Sequence, residues 1–344
     1  IQPNINQPVD LSSMHRGRLS MSRFGTFLAA AIPLIFSAAG ARAADKVSLV
    51  LNWTIGADHA PIYWALKQGL YKQAGVDLSV EIGKGSGYAS QRVGINAAQF
   101  GISDMPTAMQ ARGEGADLVG VLALYNKSPY TIYWKKSRGI KSIKDLPGHK
   151  IGTPPADAAR QMWPAIAKAA GIDAASVSWV NIAPDAKFAA LQSNTIDVTT
   201  NFYNIHFVGE RLFGDDLGFL RLSEIGFNPY GNAFFVNGGY AKDHPDAVKN
   251  FVRVTQKAYL TCIQTPQPCL QAVVEAASQD PVDLDKSWKL TTELMGGTKG
   301  QVFGAFEPER VSKDYELIKT TFGTKPYSYE SIFSNQYLDP SAKN

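Results

Sequence analysis

Residues 47–103 read VSLVLNWTIGADHAPIYWALKQGLYKQAGVDLSVEIGKGSGYASQRVGINAAQFGIS. Three short apolar runs, at 47–51, 77–82 and 100–102, alternate with two amphipathic stretches, at 61–68 and 88–98. In the first of these stretches Pro61 opens the first turn, and Ile62, Leu66, Gly69 and Leu70 follow at helical spacing. Strand, helix, strand, helix, strand is the order that builds a parallel sheet covered by helices on its faces. A fourth strand is predicted at 118–124. After the strand 130–135 the pattern restarts: strands at 150–152, 177–182 and 196–200, with helices at 156–170, closed by Gly171, and at 186–192. Strands at 218–222 and 232–236 follow, and the rest is helical. Within 247–263 the residues Val248, Phe251, Val252, Ala258, Tyr259 and Cys262 form one apolar stripe.

Helices that late in the chain need a sheet to cover, and the first unit has an open face. The expected fold class is therefore α/β, with two parallel-rich sheets flanked by helices and joined by a two-segment hinge. Lobe 1 is read as residues 44–134 plus 232–344 and lobe 2 as residues 135–231. Open parallel sheets bind ligands beyond the carboxyl ends of their strands, so the loops after strands should face the cleft between the lobes.

Composition agrees with a folded two-domain body. Of 344 residues 45% are hydrophobic and 11% aromatic, enough for a core. The net charge of +4 is unevenly placed: residues 1–43 hold Arg16, Arg18, Arg23 and Arg42 against Asp10, leaving 30 basic and 29 acidic residues in the remainder. A near-neutral body disfavours a nucleic-acid partner, since that affinity rests on clustered Lys and Arg. Arg18 and Arg23, the apolar run 24–39 and the small residues of Ala41-Arg42-Ala43 make a three-part secretory leader, 1–43, with cleavage expected near Ala43/Ala44. The expected location is periplasmic and not membrane-embedded, for no later segment has the length and apolarity to span a bilayer of roughly 30 Å. In an oxidising compartment Cys262 and Cys269 read as a disulfide, and no His or further Cys nearby makes them a metal site.

The loops supply the candidate binding residues. Asn52, Trp53, Asp58 and His59 follow the first strand and suit a planar heterocycle, one flat face with hydrogen-bonding neighbours. Two readings stay open: Trp53 faces a ligand, or it packs in the core with His59 capping the helix. The glycine loop Gly83-Lys84-Gly85-Ser86-Gly87-Tyr88 fails the dinucleotide spacing, because Tyr88 stands where a third glycine is required. Its helix-start N–H groups at Ser86 and Gly87 could take an anion, or the glycines simply permit a turn. Asp104 accepts from ligand amino groups or caps a helix. Tyr130 at the first crossing, Asp157, Asn201 and Tyr203 in lobe 2, and Tyr230 near the return crossing complete the set. No Gly-x-Ser-x-Gly elbow or His-x-x-x-His spacing occurs, so no enzyme, cofactor or metal is expected.

LNWTIGADHAPIYWALKQGLYKQAG (51–75), DLSVEIGKGSG (77–87), FGISDMPTAMQARGEG (100–115) and IKSIKDLPGHKIG (140–152) together resemble the periplasmic substrate-binding proteins of ABC importers, over about residues 47–325. The branch resembled handles thiamine pyrimidine precursors and, in its relatives, alkanesulfonates and taurine. The resemblance implies a type II, Venus-flytrap trap closing on one small molecule, with an ABC permease and its cytoplasmic ATPase as partners. It implies ligand roles for Asn52 and Trp53 in the first loop, His59 at the helix start, Ser86 and Gly87 in the second loop and Asp104 in the third, and more loosely for residues 201–204. The pyrimidine binders usually continue the first motif with Pro-Asn, whereas this chain has Thr54-Ile55-Gly56. The fold also resembles a fungal pyrimidine synthase that depends on a cysteine-rich motif, which this chain lacks. The expected ligand is a thiamine-pyrimidine-like heterocycle, with an alkanesulfonate as the alternative and an exported enzyme as a further one.

Overall fold

The computed structural model describes residues 44–344, so the expected leader lies outside the described residues. The strands in chain order are β1 (Asp45–Val50), β2 (Val76–Glu81), β3 (Phe100–Asp104), β4 (Leu118–Ala123), β5 (Tyr130–Lys135), β6 (Lys150–Thr153), β7 (Ser178–Asn181), β8 (Val198–Phe202), β9 (Leu217–Arg221) and β10 (Asn232–Asn237). They form two five-stranded sheets, ordered β2-β1-β3-β10-β4 and β7-β6-β8-β5-β9.

Each sheet is mixed. In the first, β1 is parallel to β2 and β3, while β10 is antiparallel to β3 and β4, with Asn232 opposite Asp104. In the second, β6 is parallel to β7 and β8, while β5 is antiparallel to β8 and β9, with Tyr130 opposite Phe202. The antiparallel member is in both cases the strand that the chain enters directly from the other sheet. An antiparallel strand begins where its parallel neighbours end, so both crossings and the loops after the parallel strands meet at facing sheet edges. That is where the cavity described below lies.

β5 pairs in the second sheet, whereas a lobe boundary at 134/135 leaves it with the first. The chain changes sheets before Tyr130. Alternating apolar residues identify a strand without naming its partner, and β5, buried on both faces, has its edges paired by β8 and β9. The stretch 156–170 forms two helices, Ala158–Gln161 and Trp163–Ala170. Pro164, which has no N–H to continue the first helix, lies in the first turn of the second. Gly171 closes it in the left-handed region, at φ 64°.

Helices after β10 cover the first sheet. The helix Pro245–Gln264 buries Val248, Phe251, Val252, Ala258, Tyr259 and Cys262, the stripe expected from the spacing. Phe251 stacks on Phe100 of β3 with ring centroids 3.9 Å apart. Burying each large apolar side chain contributes about 1.5–3 kcal/mol. Cys262 and Cys269 are joined in a disulfide that ties this helix to the next, Pro266–Ala277. Among the described residues no helix is long and apolar enough to cross a membrane.

Candidate functional site

A cavity of about 590 Å³ opens between the two sheets. One wall is built from segments after β1 and β2, which supply Asn52, Trp53, Asp58 and Ser86. The opposite wall carries Asp157, after β6, Lys187, after β7, and Asn201 near the end of β8. Six of the expected residues therefore line one space: Asn52, Trp53, Asp58, Ser86, Asp157 and Asn201.

The first wall is ordered from beneath. His59 is buried, outside the cavity lining, and its Nε2 lies 3.1 Å from Asn52 Oδ1 while its Nδ1 accepts from the Gly56 N–H at 3.1 Å. An Nδ1 that accepts a backbone N–H carries no proton, so the ring is neutral with hydrogen on Nε2, donating to Asn52. Burial lowers the His59 pKa, opposed by the nearby Asp58 carboxylate. His59 thus orients Asn52. Asp58 accepts the Tyr125 hydroxyl at Oδ2 (3.2 Å), and its backbone carbonyl accepts the Tyr259 hydroxyl (2.7 Å).

The second wall is centred on a buried ion pair. Lys187 Nζ lies 2.5 Å from Asp157 Oδ2, and the ammonium sits 4.4 Å from the centroid of the Trp53 ring on the opposite wall. Asp157 Oδ1 also accepts from the Ala159 and Arg160 N–H groups and from Thr200 Oγ1, at 3.0–3.2 Å. Burial lowers the Lys187 pKa, and Asp157 opposes the shift. At the rim Arg211 pairs with Asp283 at 2.6 Å. Lys187 and Arg211 are the two cations lining the cavity, and each already faces a carboxylate.

The glycine loop is committed elsewhere. Gly83 N–H donates to Trp53 O, Gly85 N–H to Asn52 O, and Gly87 N–H to Ala156 O of the opposite lobe. A Cβ on Gly83 would stand 1.8 Å from Leu51 O, and one on Gly85, whose φ is +125°, would stand 2.1 Å from Ala156 O. The glycines serve close backbone approach, once within the first lobe and once across the cleft.

The remaining expected residues are not on the cavity wall. Gly87 and Tyr88 line a separate groove of about 570 Å³, and the Tyr88 hydroxyl donates to Glu81 at 2.5 Å. Asp104 Oδ1 caps the helix Met105–Gly113 through the Thr107 N–H and accepts the Tyr130 hydroxyl in the interior behind Ser86, while Asp104 Oδ2 is buried without a hydrogen-bond partner among the described residues. Burial raises the Asp104 pKa, countered by its hydrogen bonds from Tyr130 and Thr107. Tyr203 stacks on His206 at 4.9 Å and lies under the Arg221 guanidinium at 4.0 Å, and Arg221 pairs with Glu293 of the opposite lobe. Tyr230 is buried, its hydroxyl accepting the Glu307 N–H. Lys187 escaped the sequence reading although it follows the predicted strand 177–182. It falls inside the predicted helix 186–192, past the loop that the strand-end rule singles out.

Two mixed sheets, joined by two crossings and facing each other across a cavity at their strand ends, define the periplasmic-binding-protein fold. A structure from Bordetella bronchiseptica superposes with a TM-score of 0.72 at 17% identity, covering 85% of this chain and 95% of that one. The periplasmic aliphatic sulphonate binding protein of Escherichia coli superposes at 0.63 and 12% identity, covering 86% and 92%. Within that fold the chain belongs to the NMT1/THI5-like family, whose profile matches residues 56–268. The 4-amino-5-hydroxymethyl-2-methylpyrimidine phosphate synthase of Legionella pneumophila is 26% identical over 239 residues, 68% of this chain and 75% of the relative. The formylaminopyrimidine-binding protein of Halalkalibacterium halodurans is 19% identical over 233 residues, 67% and 71%.

Proposed function

We propose that this protein is the solute-binding component of an ABC importer, capturing a small planar heterocycle of the thiamine-pyrimidine type and delivering it to a membrane permease from the periplasm. One observation carries the reading: an indole, Trp53, and two amide side chains, Asn52 and Asn201, face a single cavity between the sheets. An aromatic ring with hydrogen-bonding edges is the ligand such a set accommodates. The pyrimidine named in the formylaminopyrimidine-binding relative supports the same class.

The alkanesulfonate alternative is weaker on chemical grounds. A sulfonate needs an unpaired cation or several free N–H groups, but Lys187 and Arg211 are paired and the Gly83, Gly85 and Gly87 N–H groups donate to carbonyls, so of the glycine loop only the Ser86 N–H is left for it. The same accounting bears on the synthase reading that the Legionella relative raises, since the product in that relative's name carries a phosphate.

A thermal-shift screen of pyrimidines, flavins, sulfonates and nitriles, guided by mass spectrometry of what co-purifies, tests the proposal. A pyrimidine at 100 times its Kd should add about 2.7 kcal/mol to stability. Stabilisation by sulfonates alone would reverse the order of the two ligands, and chemical turnover of the captured pyrimidine would make the protein an enzyme.

A further inference from the structure

The first wall holds a charge with no cationic counterpart among the described residues. Asp58 is 6% exposed and lines the cavity. Its nearest basic group is His59, with Nδ1 3.6 Å from Asp58 Oδ1, but that nitrogen accepts the Gly56 N–H and so is unprotonated. The Tyr125 hydroxyl supplies one neutral hydrogen bond to Oδ2. Removing a carboxylate from water is unfavourable unless a cation or a full set of donors replaces the solvent. Lys187 and Arg211 are engaged by Asp157 and Asp283. Asp185, on the exposed rim, adds a further negative charge to the lining. The lining therefore carries four carboxylates and two cations.

A second, independent feature points to a ligand. Asn201, 7% exposed and on the opposite wall, has its Nδ2 buried without a hydrogen-bond partner among the described residues. A buried amide donor without an acceptor is costly, and a ring nitrogen or carbonyl of a ligand supplies one.

Resting on the heterocycle reading above, we propose that the ligand carries a cationic nitrogen substituent, a protonated amine or amidine-like group, that pairs with Asp58, while an acceptor atom of the ligand takes the Asn201 N–H. The site selects for positive charge and against phosphate and sulfonate esters of the same ring. Asp58 is in this view the specificity-determining residue, and Trp53 supplies the apolar face.

Three 2-methyl-4-aminopyrimidines that differ at one substituent test this by isothermal titration calorimetry on the purified protein at neutral pH: 5-aminomethyl, 5-hydroxymethyl and the hydroxymethyl phosphate. The expected order is aminomethyl tightest, by at least tenfold over hydroxymethyl, with the phosphate weakest. Asp58→Asn, close in shape, should reduce the aminomethyl compound to the affinity of the hydroxymethyl one. The ranking is read on the unsubstituted protein as well, so it decides the matter even where the variant fails to fold. Equal affinities, or tightest binding of the phosphate, would overturn the proposal and leave the heterocycle reading standing. Alkyl diamines tested in parallel separate the two ideas: their Asp58-dependent binding, with all pyrimidines silent, would uphold the charge selection and remove the heterocycle. Silence from both series would overturn both.

Discussion

Asp314 shows how one side chain sets a pH dependence. It is buried on the helix Pro308–Phe322 and accepts the Tyr230 N–H at 2.9 Å, in the segment through which the chain returns to the first sheet. Burial raises its pKa from the ordinary 3.8 to about 7, with the Tyr230 hydrogen bond and Arg310 opposing. The folded state thus holds a proton that the unfolded chain has lost, so stability falls as pH rises from about 4 to 7. Asp314→Asn should flatten that slope and raise the melting temperature at pH 8, measured by calorimetry across pH; an unchanged slope would place the titration elsewhere. Residue types show when they were legible in the sequence. Asn52 and Trp53 were, because they follow a strand directly. Lys187 was not, because its burial depends on Asp157, thirty positions away in the chain and 2.5 Å away in space. Tyr88, Tyr203 and Tyr230 have the composition of a binding site, yet each ring or hydroxyl is taken by a partner that no local pattern names.

At the level of elements, the glycine loop between β2 and the helix Ser86–Gly94 acts through its backbone. The Gly87 N–H to Ala156 O bond, 3.2 Å, joins the two lobes across the cleft, and Gly85 leaves no room for a methyl group there. Gly85→Ala should hold the lobes apart: ligand affinity should drop at least tenfold and small-angle scattering should give a larger radius of gyration with ligand than the unsubstituted protein gives. Full affinity and an unchanged radius would mean that this contact plays no part in closure. The strands and most helices were legible from apolar periodicity. The pairing of β5 was not, since a period of two gives a strand its faces and leaves its neighbours open.

For the whole molecule, the topology explains why one cavity gathers residues from positions 52 to 287. Each crossing delivers its antiparallel strand to the edge where the parallel strands end, so cavity-lining groups from both sheets face each other, and ion pairs such as Arg211–Asp283 and Arg221–Glu293 span the same gap. Solvent-accessible pairs of this kind contribute roughly 0–1 kcal/mol each, little enough to permit the lobe movement that the proposed capture requires. The function proposed for the molecule is reversible capture of a small heterocycle between the lobes, with Trp53 as its platform. Calorimetric titration of the molecule that co-purifies, followed by its recovery and mass spectrometry, tests this most directly. One site per chain, recovery of the molecule unchanged and loss of binding in Trp53→Ala are expected; a chemically altered molecule, or full affinity in that variant, would rule this function out.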